Sequence, residues 1–210
     1  MTTRATKRQI LFSGPMVRAI IEGRKSQTRR IIKPQPLKQH HIAYIVEAHG
    51  RGSSTGGFEV LTHYATTVSR IACPYGSPGD HLWIRETFAE KLAHTGKPLG
   101  WAYRADGDRA SYELGNGRWR PSIFMPRHAS RITLEIVKVR AERLQKISGF
   151  DAAAEGYPGP QDDASIMHFG EGKKARHWYR ELWDSINAKR GVGWDKNPWV
   201  WVIEFKVLKS

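Results

Sequence analysis

The chain predicts an α+β fold, on three observations. Runs at Asp80 to Phe88, Arg131 to Arg140 and Trp199 to Leu208 alternate apolar and polar side chains, the period of two expected of a half-buried strand. Two other runs, one after Ser13 and one from Arg176 to Asn187, repeat apolar residues at helical spacing. No internal repeat, long low-complexity tract or composition break marks a linker. Residues 1–210 therefore read as one domain, with stretches at about 34–78 and 90–127 inserted into it.

Taken in order, the first helix opens at Ser13-Gly14-Pro15, a capping residue with a proline in the first turn. Met16, Val17, Ile20 and Ile21 form its apolar side. Gly23 can take the left-handed conformation that stops a helix. The turn beyond it crowds Arg24, Lys25, Thr28, Arg29 and Arg30 together. In an ideal strand Lys25 and Thr28 would face opposite ways, so their convergence needs a turn. From Pro34 to Pro78 a Gly-, Ser- and His-rich stretch holds two strand-like runs, Ile42 to Glu47 and Phe58 to Leu61, read as an inserted hairpin. The second insertion, Glu90 to Arg127, has many glycines and carries Trp101, Tyr103 and Trp119, aromatic candidates for stacking on a base.

Ser148 with Asp151 makes a capping box, Ala152 to Ala154 propagate a short helix, and Gly156 ends it. Glu155 thus falls in the last helical turn, at the negative end of the helix dipole. In the helix from Arg176, Trp178, Leu182 and Ile186 lie on one side, with Tyr179 and Trp183 beside them. In the closing strand Trp199, Trp201, Ile203, Phe205 and Val207 share one face and read as a core stripe.

Composition narrows the function class. A chain of 210 residues can bury a real core, about 70% of its unfolded surface. Its 34 Lys and Arg against 20 Asp and Glu give a formal net charge of +14, clustered at Arg24 to Lys33, which favours nucleic acid or phosphorylated partners. Cys73 stands alone, which excludes an internal disulfide and a cysteine-based zinc cluster. The nine histidines lack a metal-binding spacing, and His40-His41 reads as a polar loop. No hydrophobic run approaches membrane-spanning length, and Met1 to Arg8 is basic with no apolar signal core behind it. A cytoplasmic protein is expected, with no membrane association and no obligate protein partner.

Gly23, Lys25 and Arg30 match the signature of the ASCH domain, a relative of the PUA RNA-binding fold: a glycine, a lysine two positions on, and an arginine five beyond that lysine. The Gly-Arg-Lys-x-x-Thr-x-Arg form found here resembles the bacterial N4-acetylcytidine amidohydrolases, small ASCH proteins that deacetylate the modified nucleoside. Val202-Ile203-Glu204-Phe205-Lys206 is similar to their closing strand, and Glu155 sits where the family carries its acidic catalytic residue. The whole chain, including Trp83 to Phe88 and Trp119 to Pro126, looks like longer ASCH proteins common in phages and prophages.

The resemblance implies a PUA-like mixed β-barrel with short helices at its mouth, acting in a bacterial host's cytoplasm on a modified cytidine nucleoside or RNA. It implies no metal and no organic cofactor. On this reading Lys25 accepts the proton of Thr28, whose oxygen attacks the acetyl carbonyl, and Glu155 protonates the departing cytosine nitrogen. Arg30 would orient a carboxylate or hold substrate, and Arg24 or Arg29 would touch phosphate. The competing expectation is an RNA-binding module, RNA-cleaving in some relatives, without amidohydrolase activity. The two diverge on whether Lys25, Thr28 and Glu155 meet in one sheltered hollow.

Overall fold

A computed structural model describes residues 5–36, 41–47, 58–64, 67–93, 95–107, 118–168 and 170–208, with the backbone alone between 41 and 70. The elements run β1 (Lys7–Leu11), α1 (Gly14–Ile21), β2 (Gln27–Ile31), β3 (His41–Glu47), β4 (Phe58–Tyr64), β5 (Thr67–Ala72), β6 (His81–Arg85), β7 (Phe88–Leu92), β8 (Pro98–Tyr103) and β9 (Thr133–Arg143). Then come α2 (Gly149–Ala154), α3 (Asp163–His168), α4 (Glu171–Asn187) and β10 (Trp199–Leu208). Helices and strands are mixed along the chain, in keeping with an α+β class.

A five-stranded sheet in the order β1-β6-β9-β10-β2 organises the molecule. The β1–β6 pair is parallel and the others are antiparallel. One face carries Ile10, Ile84, Leu134, Ile136, Trp201 and Ile203 against Val17 and Ile20 of α1. The other carries Val200 and Val202 against Tyr179 and Trp183 of α4. With both faces covered, β10 is apolar without interruption from Trp199 to Ile203, where one exposed face would have forced strict alternation. Trp201 is fully buried, worth about 2–3 kcal/mol of transfer free energy by itself.

The structure corrects the sequence reading in several places. The run from Asp80 to Phe88 is broken after Arg85, and Phe88 opens β7, which pairs with β8 instead of extending the main sheet. The hairpin expected at 42–61 has a third strand, since β4 pairs with both β3 and β5. Along α4 the buried stripe is Ala175, Tyr179, Trp183 and Asn187, while Ile186 is exposed. The helix docks through Tyr179 and Trp183, with Trp178 and Leu182 half-buried at the margin of the same cluster. In β10 a register shift between Glu204 and Phe205 leaves Val207 exposed, outside the expected stripe.

The barrel is also corrected. The sheet is open, with β1 and β2 as its edges and no ladder between them among the described residues. What joins the edges is a side chain, since Arg30 Nη2 donates to the Leu11 carbonyl at 2.7 Å and its guanidinium lies over the Phe12 ring. The sheet curls until its edges are one side chain apart, and the gap that a closing ladder would have filled is a cleft.

Candidate active site

Helix α1 ends at Ile21 with Glu22 as its C-cap, and Gly23 at φ 76° turns the chain sharply. The Lys25 amide then donates to the Ala19 carbonyl at 2.9 Å and the Ser26 amide to the Ala154 carbonyl at 3.0 Å. The first ties the turn back to α1, and the second lays the chain across the C-terminus of α2 before it enters β2. Helix α2 is fixed at its other end by the expected capping box, with the Asp151 amide donating to Ser148 Oγ at 3.0 Å and the Ser148 amide to Asp151 Oδ2 at 3.3 Å. Its last carbonyls meet the Lys25 segment, and Lys25 pairs with Glu155 as an isolated antiparallel bridge.

Two residues 130 apart in sequence are thereby put in direct contact. Lys25 Nζ donates to Glu155 Oε2 at 2.8 Å, to the Glu155 carbonyl at 2.8 Å and to the Gln27 carbonyl at 2.7 Å. Both side chains are buried, Lys25 to 2% exposure and Glu155 to 4%. Burial pushes the Lys25 amine below its ordinary value, outweighing the Glu155 charge that pulls it up, with Arg30 and Arg29 adding to the depression. Gly156, at φ 102°, permits the approach: a Cβ there would lie 3.1 Å from the Ala19 Cβ and 3.3 Å from the Lys25 Cβ.

Behind this pair is a buried arginine. Arg29 Nη1 donates to Glu155 Oε1 at 3.2 Å, while Nη2 meets Glu142 at 2.6 Å and Asp151 at 3.3 Å. Burial works against its charge, but Glu155, Glu142 and Asp151 together hold it charged. Both Glu155 oxygens are thus engaged, one by an amine and one by a guanidinium. Tyr179 lies beneath the Arg29 guanidinium at 5.8 Å, and burial together with Glu155 pushes its hydroxyl well above the usual range.

A cleft of about 830 Å³ opens onto these groups, lined by Leu11 and Phe12 at the β1 edge, residues 28–33 along β2, and Glu155, Tyr179 and Asn187 on the helical side. The bonds from Phe205 N to Ser26 O and from Ile32 N to Trp199 O set the phase of β2. Thr28 and Arg30 therefore pair their peptide groups with β10, while those of Gln27, Arg29 and Ile31 point away from it. Lys25 takes the Gln27 carbonyl. The Arg29 and Ile31 peptides are left as donors and acceptors on the open edge of the sheet.

Of the residues singled out from sequence, Lys25, Thr28, Arg29, Arg30 and Glu155 all line this cleft. Arg24 lies outside its lining, bonded to Glu22 and the Gly156 carbonyl. Trp101, Tyr103 and Trp119 are not among the lining residues either. Trp101 packs on Phe88 and His128, Tyr103 donates to the Ala129 carbonyl at 2.8 Å beneath Arg131, and Trp119 covers Ala89 and Ala102 with Arg104 stacked on it. The sequence reading missed Tyr179, Lys33 and Arg190 as lining residues. The signal for Tyr179 was its place in a stripe with Trp183; Lys33 and Arg190 carried none beyond their charge.

Among the described residues no group of three or more His, Cys, Asp or Glu is arranged to hold a metal ion, and no helix is long and apolar enough to cross a membrane. Cys73 is buried, its thiol pushed up to about 11. No family model matches the chain, and no curated protein matches it. The chain is similar to a crystal structure of an ASCH domain from Lactobacillus crispatus JV V101, with a TM-score of 0.36 and 13% identity over 96% of this chain and 79% of that one.

Proposed function

We propose that this protein is an ASCH-type amidohydrolase that removes the acetyl group from an N4-acetylated cytosine. One observation carries the reading: Lys25 and Glu155, 130 residues apart, are in direct contact, both buried, at the wall of a cleft that also takes Thr28. A buried amine and a buried carboxyl beside a hydroxyl are the groups an acyl transfer needs.

In the resting pair, Lys25 is an ammonium with its three hydrogens directed at three acceptors. Moving one proton along its 2.8 Å bond to Glu155 gives an amine and a carboxylic acid, and burial favours that uncharged form of Lys25. Thr28 Oγ1 then attacks the acetyl carbon while its proton passes to Lys25. When the tetrahedral adduct collapses, the C–N4 bond breaks, and the departing nitrogen takes the proton held by Glu155. Water attacks the resulting acyl-threonine; one of its protons ends on Thr28 Oγ1, the other passes to solvent, and acetate leaves with Thr28 regenerated. The outward-facing Arg29 and Ile31 peptides supply a donor and an acceptor for the edge of a planar base, and Arg30 at the mouth sits beside the acyl group's path.

A second reading has its own support. All three Lys25 hydrogens already have acceptors, which is also how a purely structural ammonium is held. A nucleic-acid-binding module without chemistry would use the same cleft and leave that pair undisturbed. Purified protein incubated with N4-acetylcytidine separates the two. Cytidine release is expected from the wild type, with Thr28→Ala, Lys25→Met and Glu155→Gln each slowed by about 100-fold or more. Background release from wild type and variants alike sinks the hydrolase reading.

A further inference from the structure

We propose, resting on the reading above, that the cleft takes its base from a nucleic acid strand, whose phosphates are held by Arg85 and Arg127 on one flank and by Lys33 and Arg190 on the other. Some of the arginines are tied down by several carboxylates. Arg29, Arg131 and Arg140 are each bound by two or more carboxylates: Arg131 by Glu86 and Asp106, and Arg140 by Asp151, Glu142 and Glu204. These hold the structure together.

Arg85 and Arg127 are different. Both guanidiniums stack on the ring of Trp83, at 5.1 and 5.6 Å from its centroid. Arg85 Nε is anchored by the Met125 carbonyl at 3.0 Å, which fixes the side chain and leaves its terminal nitrogens for another partner. Neither forms an ion pair with a carboxylate among the described residues. Arg127 Nη2 also reaches Thr133 Oγ1 at 3.4 Å. Two like charges gathered on one ring repel each other, and a phosphate bound beside them offsets that cost.

This pair adjoins the cleft. Arg85 is the register partner of Leu11, which lines it, and Thr87 and Ser122 carry the lining from β6 to the segment before Arg127. Next to Ser122, on the same turn, Phe124 is 66% exposed, a free aromatic face for the neighbouring base. On the other flank Lys33 and Arg190 line the cleft itself, again with no described carboxylate paired to them. A free nucleoside carries no charge to engage any of these groups, whereas a strand passing over the cleft presents phosphates to both flanks. The net charge of +14 supplies long-range attraction for the same ligand.

The test uses a short single-stranded oligoribonucleotide with one N4-acetylcytidine, its deoxy counterpart and free N4-acetylcytidine. Strand binding followed by fluorescence anisotropy is expected to weaken with salt, at a slope of about 0.7 per phosphate neutralised. Arg85→Gln with Arg127→Gln, and separately Lys33→Gln with Arg190→Gln, are each expected to lower that slope by about 1 and to cut the strand-over-nucleoside ratio of kcat/KM at least tenfold. Phe124→Ala is expected to weaken binding while leaving the slope in place. If a double variant fails to fold, the single substitutions carry the test, each with half the change in slope. Tighter binding of either the ribo or the deoxy strand supports the proposal and names its source. Slopes that stay put in both pairs, or a wild type that handles nucleoside as well as strand, overturn it while leaving the hydrolase intact. Salt-dependent binding that runs through these four residues, with no release from strand or nucleoside, does the reverse.

Discussion

At the scale of single residues, the Lys25–Glu155 contact is a buried ion pair. Breaking a buried pair by removing one partner costs about 3–5 kcal/mol, because the other charge is stranded. The two ends are unequal here: Glu155 serves Lys25 and Arg29, whereas Lys25 serves Glu155 alone among charged groups. Urea midpoints are therefore expected to fall further for Glu155→Ala than for Lys25→Met, and Lys25→Met/Glu155→Met should recover part of the loss. A Glu155→Ala variant as stable as wild type would show that the pair is not desolvated. Titration offers an independent check. Glu155 raises the Lys25 amine against the larger effect of burial, so in Glu155→Gln the Lys25 titration, followed by NMR at Nζ, is expected to move still lower. An unmoved titration would mean the two do not communicate.

At the scale of elements, the site depends on where α2 ends. Its capping box starts it at Ser148, and Asp151 also ion-pairs with Arg29 and Arg140, so one side chain fixes both the helix start and its angle to the sheet. Gly149 allows a close approach to α4, since a Cβ there would lie 2.6 Å from the Gly172 Cα. Ser148→Ala is expected to lower stability by about 1 kcal/mol with a modest effect on turnover. Gly156→Ala is expected to do worse. The new Cβ meets both Ala19 and Lys25 at a backbone angle that side chains rarely adopt, so turnover should fall along with the thermal midpoint. Turnover that survives Gly156→Ala intact would remove the link between this close approach and the chemistry.

At the scale of the whole molecule, pH acts through the arginine network. Burial would raise the Asp151 carboxyl, but Arg29 and Arg140 outweigh it and hold the group below its ordinary 3.8. A depressed acid contributes stability above its unfolded value and loses it as pH falls through the folded one. Urea midpoints are expected to drop as pH falls below 4, and to drop less in Asp151→Asn, where this titration is absent. Cys73 acts at the other extreme: its thiol, raised from 9.0 to about 11, contributes stability below pH 9 that is lost towards pH 11. Equal acid sensitivity in wild type and Asp151→Asn would remove Asp151 from the account.

The closing strand, the end of α1 at Gly23 and the capping box of α2 were legible from sequence, because each depends on the next few residues: alternation, a glycine's free φ, a Ser with an Asp three on. The motif at Lys25 to Arg30 and the acid at Glu155 were visible as separate signals, singled out as a site by a family resemblance and not by local pattern alone. Only the tertiary structure decided that they touch, that Arg29 turns inward to three carboxylates while Arg30 spans the sheet's two edges, and that the expected barrel stands open. Those outcomes depend on which face of a strand meets which helix and on charges brought together from distant segments, and no short window of sequence contains both partners.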